Sequence, residues 1–474
     1  MSENTFSSRL FSITNGILNY IKEKWYIFII PFLISLICGL LMWNGNIGKF
    51  FYSFTFLLFI ELIVCEPSIK KSNFFRIHKS YYQTFYFIIF IVSLLNITLS
   101  YYIGFQFISI FLGVSLITVL LGKKAGQSSS IFFSALMPLL FPSHVGYTIL
   151  VILAGYLTAY MVQDVNRRIE FTAIALIISF FKFTGFLVLM FAGAEKLSVA
   201  NLIYISITPL LSTILIIGML PYIEWISRIY SNIGMLELGN LNHPLLKKLM
   251  QTAPGTYYHS FMLSNLCESA AEKIGVNPIL VRTGSYFHDI GKSKKPEFFT
   301  ENQNNENPHD FISPSMSHLI LMEHVKYGVE LARQYRLPIL FEDLIIQHHG
   351  TRVQKYFYHK AKTESEGISE DQYRYTGPKP LFKEAGILML ADSCEAAVKS
   401  IKNPSPQKIS EMISDIVNKI YLERELDDSG LTLKELELII QEFTRVIVKF
   451  SHKRIEYPKE ENNAHFLGDN YGKK

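Results

Sequence analysis

"YFHDIGKSKKPEFFTENQ", residues 286–303, places a histidine, an aspartate and a lysine within five positions beside a glycine. A cluster this polar is out of keeping with the chain's first half. Residues 25–226 are overwhelmingly apolar, whereas residues 227–474 alternate charged and apolar positions as water-soluble helical proteins do. The 474-residue chain, 49% hydrophobic and 14% aromatic, therefore divides into two parts with different solvents.

Working back from the cluster, a spanning helix needs about 20 apolar residues. Candidates lie at 25–43, 50–66, 83–101, 104–122, 127–142, 145–163, 171–193 and 201–224. The segment 127–142, "GQSSSIFFSALMPLLFP" with its lead-in residue, has a polar start that also suits a re-entrant element. Loop charge sets the count at about eight. With the N-terminus inside, the inner loops carry Arg9, Lys22, Lys24, Lys70, Lys71, Arg76, Lys79, Lys123, Lys124, Arg167 and Arg168, and the outer loops only Lys49 and Lys196. Eight crossings keep the basic loops and residues 227 onward on the inner side, as the positive-inside tendency requires. The expectation is a bacterial-type inner-membrane protein with its soluble half in the cytoplasm.

Lys182 lies near the middle of the seventh segment, where a central charge costs about 2.5–3.5 kcal/mol on insertion scales. It calls for a partner, and Glu61 in the second segment is the nearest acid by depth. Snorkelling or a wet crevice is the plainer reading, a sensing role the sharper one. Intramembrane polar groups are too few to line a transport path. The first apolar run is long enough to span and no cleavage site precedes it, so it reads as retained rather than as a signal peptide. Four scattered cysteines give neither a disulfide framework nor a thiolate metal site. A net charge of +5, placed mostly in loops beside apolar segments, suits a lipid bilayer and not DNA or RNA.

The soluble half reads as all-α. A linker at 227–250 leads into "YYHSFMLSNLCESAAEKIG", which carries His259 on a helix stopped by Gly275. The next helix begins with Asn277 as cap and Pro278 in its first turn, and ends at His288 and Asp289. Adjacent helical positions point about 100° apart. Both side chains can serve one site only where the helix terminates, and Gly291 is expected to supply the stop. "SHLILMEHVKYGVELARQYRLP" adds His324, "LPILFEDLIIQHHGT" adds His348 and His349, and "EAGILMLADSCEAAVKSI" adds Asp392. A lone histidine on a helix face is usually structural. Here five of thirteen histidines sit among carboxylates at helix ends or apolar faces, a donor set suited to transition metals rather than to magnesium or calcium.

The order H…HD…H…HH…D resembles the HD-domain phosphohydrolases in their dinuclear form. More narrowly, residues 251–457 resemble the PgpH-type membrane HD phosphodiesterases of cyclic di-AMP, through "GTYYHSFMLSNLCESAAEKIG", "HDIGKSKKPEFFTENQ", "NPHDFISPSMSHLI", "HHGT", "YTGPKP", "ILMLADSCEAA" and "HKRIEYPK". The resemblance implies that His259, His288, Asp289, His324, His348, His349 and Asp392 bind two divalent transition metals, manganese or iron, with Asp289 bridging them. Lys292 matches a lysine placed near substrate phosphate, and His309 and Arg374 fall in stretches that suggest substrate contact. Proteins of this type carry a large extracellular domain after their first membrane helix; here only the short loop at 44–49 stands there.

Phosphodiester hydrolysis gives that metal pair its purpose, since two ions about 3.5–4 Å apart generate a bridging hydroxide and steady the oxygens on phosphorus. The implied reaction opens cyclic di-AMP to linear pApA. Two alternatives stand beside it. A cyclic di-GMP enzyme would follow the HH pair with Gly-Tyr-Pro, whereas this chain runs "HHGTRVQKYFYHKA". A nucleotide-binding membrane receptor with little turnover would keep the ligands. The division expected is an N-terminal segment 1–24, a membrane domain 25–226, a linker 227–250, an HD domain 251–457 and a tail 458–474. Residues 355–380 are expected to form a flap, and a homodimer is expected by analogy with membrane enzymes of this kind.

Overall fold

The computed structural model describes residues 26–43, 45–70, 73–196, 198–303, 306–401 and 405–451. The expected segment 1–24 and tail 458–474 lie outside them. Among the described residues there are helices and turns but no strand, and one isolated bridge joins Val353 to Arg374. The all-α expectation holds.

Helices α1 (Tyr26–Leu41), α2 (Ile47–Ile69), α3 (Lys79–Tyr102), α4 (Ile110–Leu121), α5 (Lys123–Leu140), α6 (Val145–Val162), α7 (Arg168–Phe191) and α8 (Val199–Ser227) follow the eight apolar segments. Five of them, α2, α3, α6, α7 and α8, are long and apolar enough to cross a membrane. Of the rest, α1 and α4 are short, and α5 is 18 residues long with a polar start. Their cores are aromatic: Phe85, Phe132, Phe133, Phe171 and Phe186 are fully buried. Close approach depends on small residues, as membrane helices require. A methyl group on Gly113 of α4 would lie 2.3 Å from the Phe133 ring of α5.

The chain then continues as α9 (Asn232–Leu238), α10 (Pro244–Thr252), α11 (Pro254–Ile274), α12 (Pro278–Phe287), α13 (Pro314–Gln334), α14 (Ile339–Gln347), α15 (Lys355–Glu364), α16 (Lys383–Lys399), α17 (Pro406–Leu422) and α18 (Leu433–Ser451). Local chemistry fixes their limits. The Asn277 side chain accepts from the N–H groups of Ile279 and Leu280, capping α12 as expected. Gly275, at φ +72°, ends α11. Thr432 and Glu435 exchange bonds across the first turn of α18, a capping box. On α17 the buried residues Ile409, Ile413, Val417 and Ile420 recur at helical spacing, each stabilising by about 1.5–3 kcal/mol.

By contacts the chain forms two compact units. The first comprises residues up to 257 with 286–308 and 320–345; the second comprises 258–285, 309–319 and 346 onward. The stretch 355–380 is ordered rather than a loose flap. It forms α15 and a short turn at Glu370–Tyr373, and Gln354 and Tyr375 donate to the carbonyls of Tyr373 and Arg352.

Candidate metal and phosphate site

In the first unit, α12 ends at Phe287 and releases the next two residues into a turn. His288 and Asp289 thereby point from non-helical backbone, as their adjacency demanded. The stop does not come from Gly291. Residues 290–294 form a 3₁₀ turn, and a Cβ on Gly291 would lie 1.8 Å from the His324 carbonyl and 2.7 Å from Gly328 N. Glycine is required there for the turn to lie directly against α13.

That contact brings four expected residues together. Asp289 is almost fully buried, and its two oxygens face different partners. Oδ2 lies 3.1 Å from His288 Nε2 and 2.7 Å from Lys292 Nζ, while Oδ1 lies 3.5 Å from His324 Nε2. His324 Nδ1 donates to the Leu321 carbonyl, which leaves the Nε2 lone pair directed at Asp289. Lys292 also reaches Glu301 Oε1 at 2.9 Å and lies 4.9 Å over the Phe299 ring. Burial raises the Glu301 carboxyl pKa, but the Lys292 ammonium outweighs it and holds the group below its ordinary range.

In the second unit, His259 on α11 is gripped by two carboxylates of α16: Nδ1 lies 2.9 Å from Glu395 Oε2, and Nε2 3.1 Å from Asp392 Oδ1. Burial opposes its charge, yet the bonds to Asp392 and Glu395 push its pKa up to about 10. Lys399 in turn holds Glu395 at 2.5 Å. His348 and His349 follow the last residue of α14 with ring centroids 3.9 Å apart, and His349 stacks on Tyr375 at 4.2 Å. Gly350 adopts φ +56°, so the chain turns immediately after the pair.

Side chains of metal-donor type are thus present in both units, His288, Asp289 and His324 belonging to the first and His259, His348 and His349 to the second. Their chemistry fits a transition metal. His324 has its Nδ1 fixed by the Leu321 carbonyl and His259 its Nδ1 by the Glu395 carboxylate, the arrangement that orients metal ligands. Glu395 and Glu301 were not foreseen. The signal for Glu395 was its i+3 spacing from Asp392, which places both acids on one face of α16. The two expected substrate contacts lie in the second unit. His309 is buried against Phe357, with its carbonyl accepting from Lys360, while Arg374 is half-exposed and paired with Glu370 and Asp371.

Helix α14, which leads into His348, is anchored to the membrane helices inside the first unit. Arg228, the left-handed cap of α8, donates to the Leu337 carbonyl at 2.6 and 2.9 Å and pairs with Glu342 at 2.6 Å. Its own carbonyl accepts from Ile339 N. His78, just before α3, meets Asp343 at 2.5 Å. Lys182 does not meet Glu61. Its ammonium lies 5.9 Å from the Tyr147 ring, whereas Glu61 accepts from Ser35.

Known proteins are similar to both halves of the chain. Residues 43–231 match the family described as a 7TM receptor with intracellular HD hydrolase, and residues 256–397 match the HD domain. The cyclic-di-AMP phosphodiesterase PgpH of Bacillus subtilis is 44% identical over 249 residues, covering 52% of this chain and 35% of the relative. That of Listeria monocytogenes is 35% identical over 404 residues, covering 84% of this chain and 56% of the relative. The chain therefore spans between about a third and just over half of these relatives' length. The crystal structure of the L. monocytogenes PgpH HD domain in complex with cyclic-di-AMP aligns with TM-score 0.44 and 43% identity, covering 45% of this chain and all of that one.

Proposed function

We propose that this chain, whose residues 43–231 match a 7TM receptor with intracellular HD hydrolase and whose residues 256–397 match the HD domain, is a membrane-anchored, metal-dependent phosphodiesterase that opens cyclic di-AMP to linear pApA. The observation that carries the reading is Asp289, whose two oxygens face separate groups, His288 with Lys292 on one side and His324 on the other. A carboxylate shared between two ions needs that divided arrangement. His259, His288, Asp289, His324, His348, His349 and Asp392 form the proposed ligand set for two ions, manganese or iron. When bound, the ions supply an activated water and charge stabilisation at phosphorus.

The chain's own residues do the rest. Lys292 carries the positive charge nearest the shared carboxylate, in reach of a phosphoryl oxygen, and Glu301 keeps its ammonium oriented. Glu395 accepts from His259 Nδ1 and so leaves Nε2 for the metal side. His309 and Arg374 are the proposed substrate contacts, Arg374 after release from Glu370 and Asp371. The membrane reading places eight crossings in a bacterial inner membrane with the HD domain in the cytoplasm, the protein working as a homodimer. The domain limits proposed are those set by the sequence.

Incubation of the purified full chain with Mn²⁺ and either cyclic di-AMP or cyclic di-GMP, followed by product separation, tests the reading. Linear pApA as main product is expected. Hydrolysis of cyclic di-GMP alone would move the substrate to the sibling class, and tight binding of cyclic di-AMP without product would make the chain a receptor.

A further inference from the structure

Within the membrane block, four helices line a partly open cavity large enough for at least one water-sized particle. Its polar wall is formed by Ser109, Thr158, Thr208 and Lys182, and its floor by Ile110 and Phe111. No acidic side chain lines it. Lys182 is only 6% exposed, and among the described residues no hydrogen bond or ion pair reaches its ammonium.

The hydroxyl protons around it are committed elsewhere. Thr158 donates to the Ala154 carbonyl, Thr208 to those of Tyr204 and Gln106, and Ser109 shares a proton with Ser212. Those oxygens are left as acceptors, so the positive charge at the cavity comes from Lys182 and from the start of α4. Helix α4 starts there, Ser109 capping it by accepting from Leu112 N, so the first-turn amides of Ile110 and Phe111 present the positive end of a 12-residue helix. A buried cation and a helix N-terminus converge on a space with no counter-charge.

We propose that this cavity binds a single monovalent anion of halide size, held by the Lys182 ammonium and the first-turn amides of α4. The site shares no residue with the proposed metal ligands.

The test uses the full chain in lipid nanodiscs at constant ionic strength, with chloride replaced stepwise by gluconate. The unfolding temperature of the wild type is expected to rise saturably by about 4 °C with chloride, and equally with bromide. Lys182→Met and Lys182→Gln are expected to lose the response, and Lys182→Arg to keep it. Identical unfolding in chloride and gluconate for the wild type overturns the proposal, whether or not the neutral variants fold, and so does a full chloride response in either neutral variant. Chloride-35 line broadening by the wild type, displaced by bromide and insensitive to gluconate, is the second readout; its absence overturns the site.

Discussion

The charged cluster of the soluble half and two buried charges of the membrane half, Glu61 and Lys182, are accommodated by opposite means. In the soluble cluster the charges lie against opposite ones: His259 against Asp392 and Glu395, Lys292 against Asp289 and Glu301. In the membrane half Glu61 is met by the Ser35 hydroxyl and Lys182 by a cavity wall of hydroxyls and an aromatic face. Opposed charges packed that densely are costly unless something uses them, since a buried ion pair often does no better than an apolar substitute. The difference teaches that the soluble cluster is built to hold and orient donors, while Glu61 and Lys182 stand apart from opposite charge.

The strongest way to break the comparison is to remove the centre of the dense cluster. The double change His288→Ala with Asp289→Ala is expected to lower hydrolysis of cyclic di-AMP by at least roughly 10³-fold, the loss of several kcal/mol of metal-borne stabilisation, with membrane insertion unchanged. Exhaustive chelation should do the same to the wild type, and re-addition of Mn²⁺ should restore it. Product assay and membrane fractionation check both arms. Activity that survives either treatment would make the cluster an ordinary polar core.

A finer cut separates donors from the groups that orient them. Glu395→Gln keeps the size and one acceptor oxygen but removes the charge that holds His259 Nδ1. Metal affinity is expected to fall about 10–100-fold, read by Mn²⁺ titration against a chelator. Unaltered affinity would leave Glu395 as a plain partner of Lys399.

How much of this was legible from residues alone follows physical lines. The donors of the proposed set stood out because histidine and carboxylate at helix ends are conspicuous locally, and capping by Asn277 and termination by Gly275 are decided within a few residues. Gly291 was read locally too, as a stop, when its role is set by α13 lying against it. Glu61 and Lys182 were matched by depth, which says nothing about the face on which each side chain emerges. The grip of Arg228 on Glu342, more than a hundred positions apart, follows only from docking.

That grip tests whether the halves meet through charge as well as through the backbone. Arg228→Met removes the pair with Glu342 and the donors to Leu337, but Arg333 still reaches Glu342 at 3.2 Å, so no carboxylate is stranded. The cost is expected near 2 kcal/mol, a fall of roughly 5 °C in the unfolding temperature of the full chain. A fall under about 1 °C would place the coupling in the main-chain bond from Ile339 N to the Arg228 carbonyl, which the substitution leaves in place.

The smallest effect is expected at Lys182. It touches none of the proposed metal ligands, so Lys182→Leu should leave Mn²⁺ affinity where it was. Any effect on hydrolysis must travel through the membrane helices to α8, and from Arg228 into α14, the helix that leads to His348. Such transmission through packed helices is worth on the order of 1 kcal/mol or less. A change of about 2-fold in turnover in liposomes is therefore the expected reading, with Mn²⁺ affinity constant. Equal turnover of the two forms would confine Lys182 to its own cavity, and a parallel loss of metal affinity would mean that the substitution had disturbed the fold rather than the transmission.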